Sequence, residues 1–456
     1  MAVLDEFAKF IVKSEFSRLA DEAVAEAKLS LLDTIGAILV GEGSELYGLV
    51  GNIIAPDIPQ EATTFPTGNR TDALSALQIN CSVAHCSEID NIHPDSIVCI
   101  GGMVVPAALA WVEKKGGSGK DLLTAIVLGS EVGIRIGASV KGADLLPKGW
   151  WPSALFGPLG VCAAVAKLET LTEDQTRHAL SICSTLCGGL INGGAEGATA
   201  RHFLYGWSAR CGAASVLAAK SGFTGPENAL EISQGLFSAR DAIPDFSTCT
   251  EDLGEKFRLY ETVYKNYASA MQSQSAVCAF LRIVNEQGLK ADMVEQVTVE
   301  LPKKALVVVK GGGIPDNHTT AAAHGGYLVA AAITSGDILP RQFAEDRIFD
   351  PEIREFAGRV EVRENKELEK GRYDGKWPAR VIIKLKSGKT FEMETIDWMD
   401  GGSRKDFVEK KFARLLSAAR QAERIDIVMK AVETIDQEES VEELIKNAFS
   451  KKGAAI

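Results

Sequence analysis

Val297-Thr298-Val299-Glu300-Leu301 is the first stretch of this 456-residue chain in which apolar residues recur at every second position. The alternation returns in Val360 and Val362, and again in Val381, Ile383 and Leu385, where Ser387-Gly388 turns the chain back through Thr390, Phe391 and Met393 as a hairpin. Before residue 290 the spacing is different. Val24, Ala27, Leu31, Ile35 and Ile38 step by three and four, the stripe of a helix buried along one face. Similar stripes run through residues 74–87, 103–115, 119–137, 155–168, 173–191 and 207–221, and Thr172 ahead of Glu173 and Asp174 is a helix-start signal. Helical stretches at 270–287 and 318–335 lie among the strands, and charged helices resume from Arg404 to Phe449, before a polar tail at Ser450-Lys451-Lys452-Gly453. The fold class expected is mainly α. A large all-helical domain takes residues 1–268 and 400–456, and a smaller α+β domain with an antiparallel sheet takes 269–399.

Composition narrows the function. With 49 basic against 61 acidic side chains the net charge is −12, which leaves no basic stripe to displace counterions from phosphates and excludes a nucleic-acid partner. Nine cysteines, an odd number with no C-x-x-C pair, speak against a disulfide framework or a zinc ribbon. The amino terminus lacks the basic start and apolar run of a signal peptide, and the longest apolar stretch, Met103 to Val112, is too short to span a bilayer. A cytoplasmic protein with no membrane contact is expected. Glycine is high, 43 of 456 residues or about 9% against a usual share of about 7%, which suits helices packed at close range.

Six histidines are present, and two fall in Ala84-His85-Cys86-Ser87-Glu88-Ile89-Asp90-Asn91-Ile92-His93-Pro94-Asp95. His85 and Glu88 are three apart, as are Asp90 and His93, so on a helix each carboxylate would orient an imidazole for proton transfer. The same residues also read as a polar helix end stopped by Pro94, or as a metal site, although the spacing matches no defined ligand motif. Lys265, between Tyr264 and Tyr267 where the texture changes, reads as a base with a lowered pKa, as a cation for a carboxylate, or as a snorkelling surface residue. Gly188-Gly189, Gly193-Gly194 and Gly197 ahead of Arg201 form either an anion-binding loop or a plain connection.

In order and spacing, Leu32-Asp33-Thr34-Ile35-Gly36, the His85 to His93 stretch, Val105-Pro106-Ala107-Ala108, Gly149 to Gly160, Gly206-Trp207, Gly222-Phe223-Thr224-Gly225-Pro226 and Lys265 with Tyr267 resemble the MmgE/PrpD family. The resemblance implies a large helical domain, a smaller α+β domain, an active site between them and a homodimer. It carries the family's acidic cluster onto His85, Glu88, Asp90 and His93, with Asn91 in place of a third acid. Its Lys-Arg-aromatic-His falls on Arg201-His202-Phe203-Leu204, and its Lys-Pro-Tyr-Pro on Lys265-Asn266-Tyr267-Ala268. Two expected histidines are replaced by Cys99 and Trp151, and a downstream Arg and His by Met271 and Gln274. Loss of these acids implies chemistry lighter than expelling hydroxide. The expectation is a cofactor-independent epimerase, without metal, inverting a carbon α to a carboxylate in a small, iminodisuccinate-like polycarboxylate. Lys265 or Tyr267 would be one acid/base and His93, oriented by Asp90, the other. Arg201, His85, Glu88, Cys99, Trp151 and Gln274 would bind substrate. The alternatives are a 2-methylcitrate dehydratase-like hydro-lyase or decarboxylase, and a non-catalytic carboxylate-binding protein.

Overall fold

Helices fill most of the first 220 residues, in a computed structural model that describes residues 2–41, 49, 59–309, 311–369, 377–399 and 402–449; the tail from Ser450 lies outside them. They are α1 (Val3–Lys13), α2 (Asp21–Gly41), α3 (Ala73–Cys86), α4 (Ile100–Lys115), α5 (Gly119–Ala138), α6 (Pro152–Leu168), α7 (Glu173–Leu186) and α8 (Ala200–Lys220). Side-chain caps fix several starts: Asp72 accepts from the Ser75 N–H, Ser118 from Asp121 and Thr172 from Gln175. The expected 173–191 helix stops at Leu186, because Cys187 turns extended ahead of two glycines. Helix α8 begins earlier than its apolar stripe, since Arg201 and His202 in its first turn serve the site described below. A short hairpin, β1 (Ala62–Thr64) with β2 (Asn69–Thr71), also precedes residue 290; three-residue strands are too short to show a period.

Helices α4 and α6 are apolar all round and buried along nearly their whole length, the pattern of central helices. Helix α5 packs on α6, with α8 across α3 and α6. Glycine sets the α5–α6 separation, for a Cβ on Gly129 would stand 2.7 Å from the Gly160 carbonyl oxygen. Among the described residues no single helix is long and apolar enough to cross a membrane.

Beyond residue 270 come α9 (Gln274–Gln287), β3 (Val294–Leu301), α10 (Gly325–Ser335), α11 (Pro351–Ala357), β4 (Val360–Glu364), β5 (Ala379–Leu385) and β6 (Thr390–Thr395). The strands form one sheet in the order β4-β3-β5-β6. Val297 lies opposite Ile383 and Val299 opposite Val381 in the antiparallel β3–β5 pair, and β5 and β6 form the expected hairpin. The sheet is not wholly antiparallel, however: β4 runs parallel to β3, with Val297 beside Val360. Parallel neighbours need a crossover, and the chain between them supplies α10 and α11. Alternating residues report which strands have a buried face but carry no information about their direction.

The last helices, α12 (Arg404–Ala418), α13 (Ile425–Glu433) and α14 (Glu442–Phe449), return to the first ones. Helices α12 and α13 pack on α2, and the Phe449 ring stacks on Phe65 at 3.7 Å. This return brings Lys411 to the buried face of α2, where its Nζ donates to Asp33 Oδ1 at 2.5 Å and to the Ile89 carbonyl at 2.7 Å.

Candidate active site

Helix α3 holds His85 in its last turn and stops at Cys86; the chain then reverses, with Glu88 in the left-handed region at φ 51°. A non-glycine residue pays about 1–2 kcal/mol for that conformation, so the surroundings must over-determine it. They do so through the Glu88 and Ile89 carbonyls and the Asn91 side chain. Lys265 Nζ donates to the Glu88 carbonyl at 3.3 Å, Lys411 holds the Ile89 carbonyl, and the Gly101 N–H donates to Asn91 Oδ1 at 3.0 Å.

The reversal decides the pairing. His85 Nδ1 lies 2.9 Å from Asp90 Oδ2, whose other oxygen receives Lys265 Nζ at 3.0 Å. Arg201 Nη2 reaches Glu88 Oε1 at 2.9 Å and His85 Nε2 at 3.1 Å. An aspartate oxygen can only accept, so the proton sits on His85 Nδ1 and the Nε2 lone pair faces the Arg201 donors. The Tyr205 ring stacks on the imidazole at 4.3 Å, and Trp151 packs 5.3 Å from it while Arg201 lies over the indole at 4.9 Å. Two carboxylates and two cations thus surround one imidazole, and all of them except Arg201 are shut from water.

Burial pushes the Glu88 carboxyl up, but Arg201, then His85 and Lys265, outweigh it and hold the group at about 2. Asp90 is likewise held well below the usual carboxylate range, Lys265 and His85 overcoming its burial. Burial presses Lys265 down, yet Asp90 and the other negative groups around it keep its ammonium above the ordinary value. Lys265 is therefore a fixed cation rather than the low-pKa base that its sequence setting allowed. Glu88 gives a stability prediction with a definite sign. As pH falls below about 4.5 the unfolded chain takes up this proton first, so stability on the order of 3 kcal/mol is lost between about pH 4.5 and 2. Lys265 acts at the opposite end, its contribution draining away as pH rises past the ordinary lysine value. Urea unfolding across the pH range checks both limbs.

The other expected residues divide. Cys99 caps the start of α4; its N–H donates to Ser153 Oγ at 3.1 Å and its carbonyl receives the Tyr205 hydroxyl at 2.5 Å. Burial pushes its thiol up strongly. Tyr267 is buried, and Gln274 is spent on the backbone around it: Oε1 accepts the Asn266 and Tyr267 N–H groups at 2.9 and 3.0 Å, and Nε2 donates to the Tyr267 carbonyl at 2.9 Å. Gln274 thus props the loop carrying Lys265. His93 does not join Asp90. It accepts the Ser96 N–H on Nδ1 at 3.2 Å and meets Glu261 through Nε2 at 3.1 Å, because the turn at Glu88 removes the helical register that would have paired them. His85, Asp90 and Cys99 place ligand atoms within 4.8 Å of one another, but a protonated thiol and the Lys265 ammonium on the carboxylate make a poor donor set for a cation.

Two residues, Tyr205 and Lys411, escape the sequence reading, and a third, His202, is placed there in a motif without a role. Tyr205 lies one turn beyond Arg201 on α8, a spacing that could have flagged it. His202, fully buried, has its pKa forced well down by burial and so is neutral, with no partner on Nδ1. Lys411 comes from a distant helix, and no local pattern points to it. Glycine again permits the approach, for a Cβ on Gly102 would stand 2.7 Å from the Tyr205 hydroxyl and 3.1 Å from Asp90 Oδ2. Gly102→Ala is expected to cost about 1–3 kcal/mol of stability by overpacking and to lower turnover, measured by thermal unfolding and by activity with the substrates named below.

Beside Arg201 opens a chamber of about 270 Å³, between Ile191 with the short Asn192–Ala195 helix that follows it and residues 307–308 and 312–324 of the second half. The MmgE/PrpD N-terminal domain matches residues 5–247 and the MmgE/PrpD C-terminal domain residues 267–434. The chain belongs to the MmgE/PrpD family. Lys265 falls in the short seam between the two matched stretches, opposite the acidic turn of the MmgE/PrpD N-terminal domain. Among its relatives, the cis-aconitate decarboxylase-like protein oryM of Aspergillus oryzae is 25% identical over 97% of this chain and 96% of its own. The cis-aconitate decarboxylases of Aspergillus terreus and Homo sapiens are 25% and 23% identical, over 86% and 95% of this chain and 81% and 92% of their own. These MmgE/PrpD relatives are enzymes named for lyase chemistry, which favours a lyase over the isomerase expected from the sequence.

Proposed function

We propose that this protein is a lyase of small polycarboxylates, removing carbon dioxide or water from a substrate of the cis-aconitate or citrate kind. The supporting observation is the His85–Asp90 pair set between Lys265 and Arg201. Asp90 fixes the His85 tautomer and stabilises the imidazolium, while the two cations favour negative charge developing on a bound carboxylate. A substrate carboxylate that draws Arg201 away from His85 exposes Nε2. In decarboxylation the carbon–carboxyl bond breaks, carbon dioxide leaves, and the electron pair left on carbon takes the proton from the Nε2–H of imidazolium. In dehydration Nε2 instead removes the proton α to a carboxylate as hydroxide departs.

A second reading, epimerisation, is favoured by Cys99 and Trp151, which stand where the resemblance implies histidines and reduce the acids available to a leaving group. Incubation with cis-aconitate, 2-methylcitrate, citrate and iminodisuccinate in deuterated water, followed by NMR and optical rotation, separates the two. Carbon dioxide release or a changed alkene signal is expected. Deuterium exchange with loss of rotation and an unaltered skeleton would replace the lyase by the epimerase, and no reaction with any of these acids would sink both.

A further inference from the structure

We propose that the acid taken by this site carries an apolar arm several carbons long, housed in the chamber beside Arg201; the proposal rests on the lyase reading. Arg201 is common to both compartments: Nη2 faces Glu88 and His85, and the same side chain walls the 270 Å³ chamber. Away from the guanidinium the walls are Ile191, Val307, Val308, Ile314, Pro315 and Ala323.

Apart from Arg201, whose buried Nε has no partner, the polar side chains described there are already engaged. His324 accepts the Tyr327 N–H on Nδ1 at 3.1 Å, and its Nε2 lies 3.2 Å from the Gly312 carbonyl, to which it donates. The Thr320 hydroxyl donates to the Asn317 carbonyl at 3.1 Å, and Asp316 adds a negative charge that opposes an anion. Among the described residues Arg201 is the one side-chain cation lining this chamber, so a further carboxylate there would give up its water at a cost. An alkyl group there loses nothing polar and gains from burial. The chamber therefore selects the arm, while Arg201 and Lys265 select the carboxylates.

The test is a series of cis-aconitates bearing methyl to pentyl groups, together with one bearing a carboxymethyl arm. With each methylene worth its usual burial, kcat/KM is expected to rise about fourfold per carbon until the chamber is filled. Ile314→Asp, in an exposed loop position, should flatten this slope, whereas Ile243→Asp on the far more exposed Ile243 should leave it intact. A flat or falling series, or a preference for the carboxymethyl arm held by the Gly312 and Gly313 amides, overturns the proposal while leaving the lyase reading in place. If none of the acids reacts, the lyase reading fails, and calorimetry with alkylsuccinates decides separately: affinity climbing with chain length supports the chamber's role, and constant affinity overturns it.

Discussion

Asp90→Asn is expected to lower kcat by about three to four orders of magnitude with the protein still folded. The amide can turn its NH2 toward His85 Nδ1, now 2.9 Å from a carboxylate oxygen, and so force the ring proton onto Nε2. The lone pair that should meet substrate is then lost, and the charge that would stabilise an imidazolium is gone. Histidine nitrogen NMR would read the tautomer directly, alongside single-turnover rates. A variant that keeps the wild-type rate would remove the dyad from the mechanism. His93→Gln makes the contrast, because His93 is tied to Ser96 and Glu261; it should affect rate far less than Asp90→Asn.

Lys265→Met should cost about 3–5 kcal/mol of stability and remove turnover, because it takes the ammonium from Asp90 and leaves a buried carboxylate with only the His85 ring as its close side-chain partner. Denaturant unfolding measures the first effect and the NMR assay the second. The double variant Lys265→Met with Asp90→Asn should recover most of the stability, since no unpaired charge is left, yet recover no activity. If Lys265→Met alone were as stable as the wild type and active, the ammonium would be neither a structural counter-ion nor a carboxylate anchor.

These two predictions depend on contacts that differ in how visible they were in the sequence. The helices were legible because each announces itself locally: Thr172 caps α7, and the stripe through Leu31 and Ile35 covers the buried face of α2. The strands at Val297, Val360 and Val381 were legible for the same reason, but the parallel run of β4 beside β3 was not. Among the site residues, the density of titratable groups from His85 to Asp95 singled out the right stretch. It did not reveal the partners, for a helical register pairs Asp90 with His93, whereas the left-handed turn at Glu88 pairs it with His85. The resemblance places Gln274 against substrate, whereas its side chain supports the backbone of Asn266 and Tyr267.

The sequence by itself determined the mainly helical class, the place where strands begin and the residues rich enough in charge to form a site, because periodicity, capping and composition act over a few neighbouring residues. Only the tertiary structure decided what those residues do. Lys265 meets Asp90 across 175 residues of chain and Lys411 meets the Ile89 carbonyl across 322. Whether a buried lysine is a base or a permanent cation depends on which carboxylates the fold places against it. Desolvation alone would have made Lys265 a base; the two acids of the turn, brought within reach by packing, make it a cation.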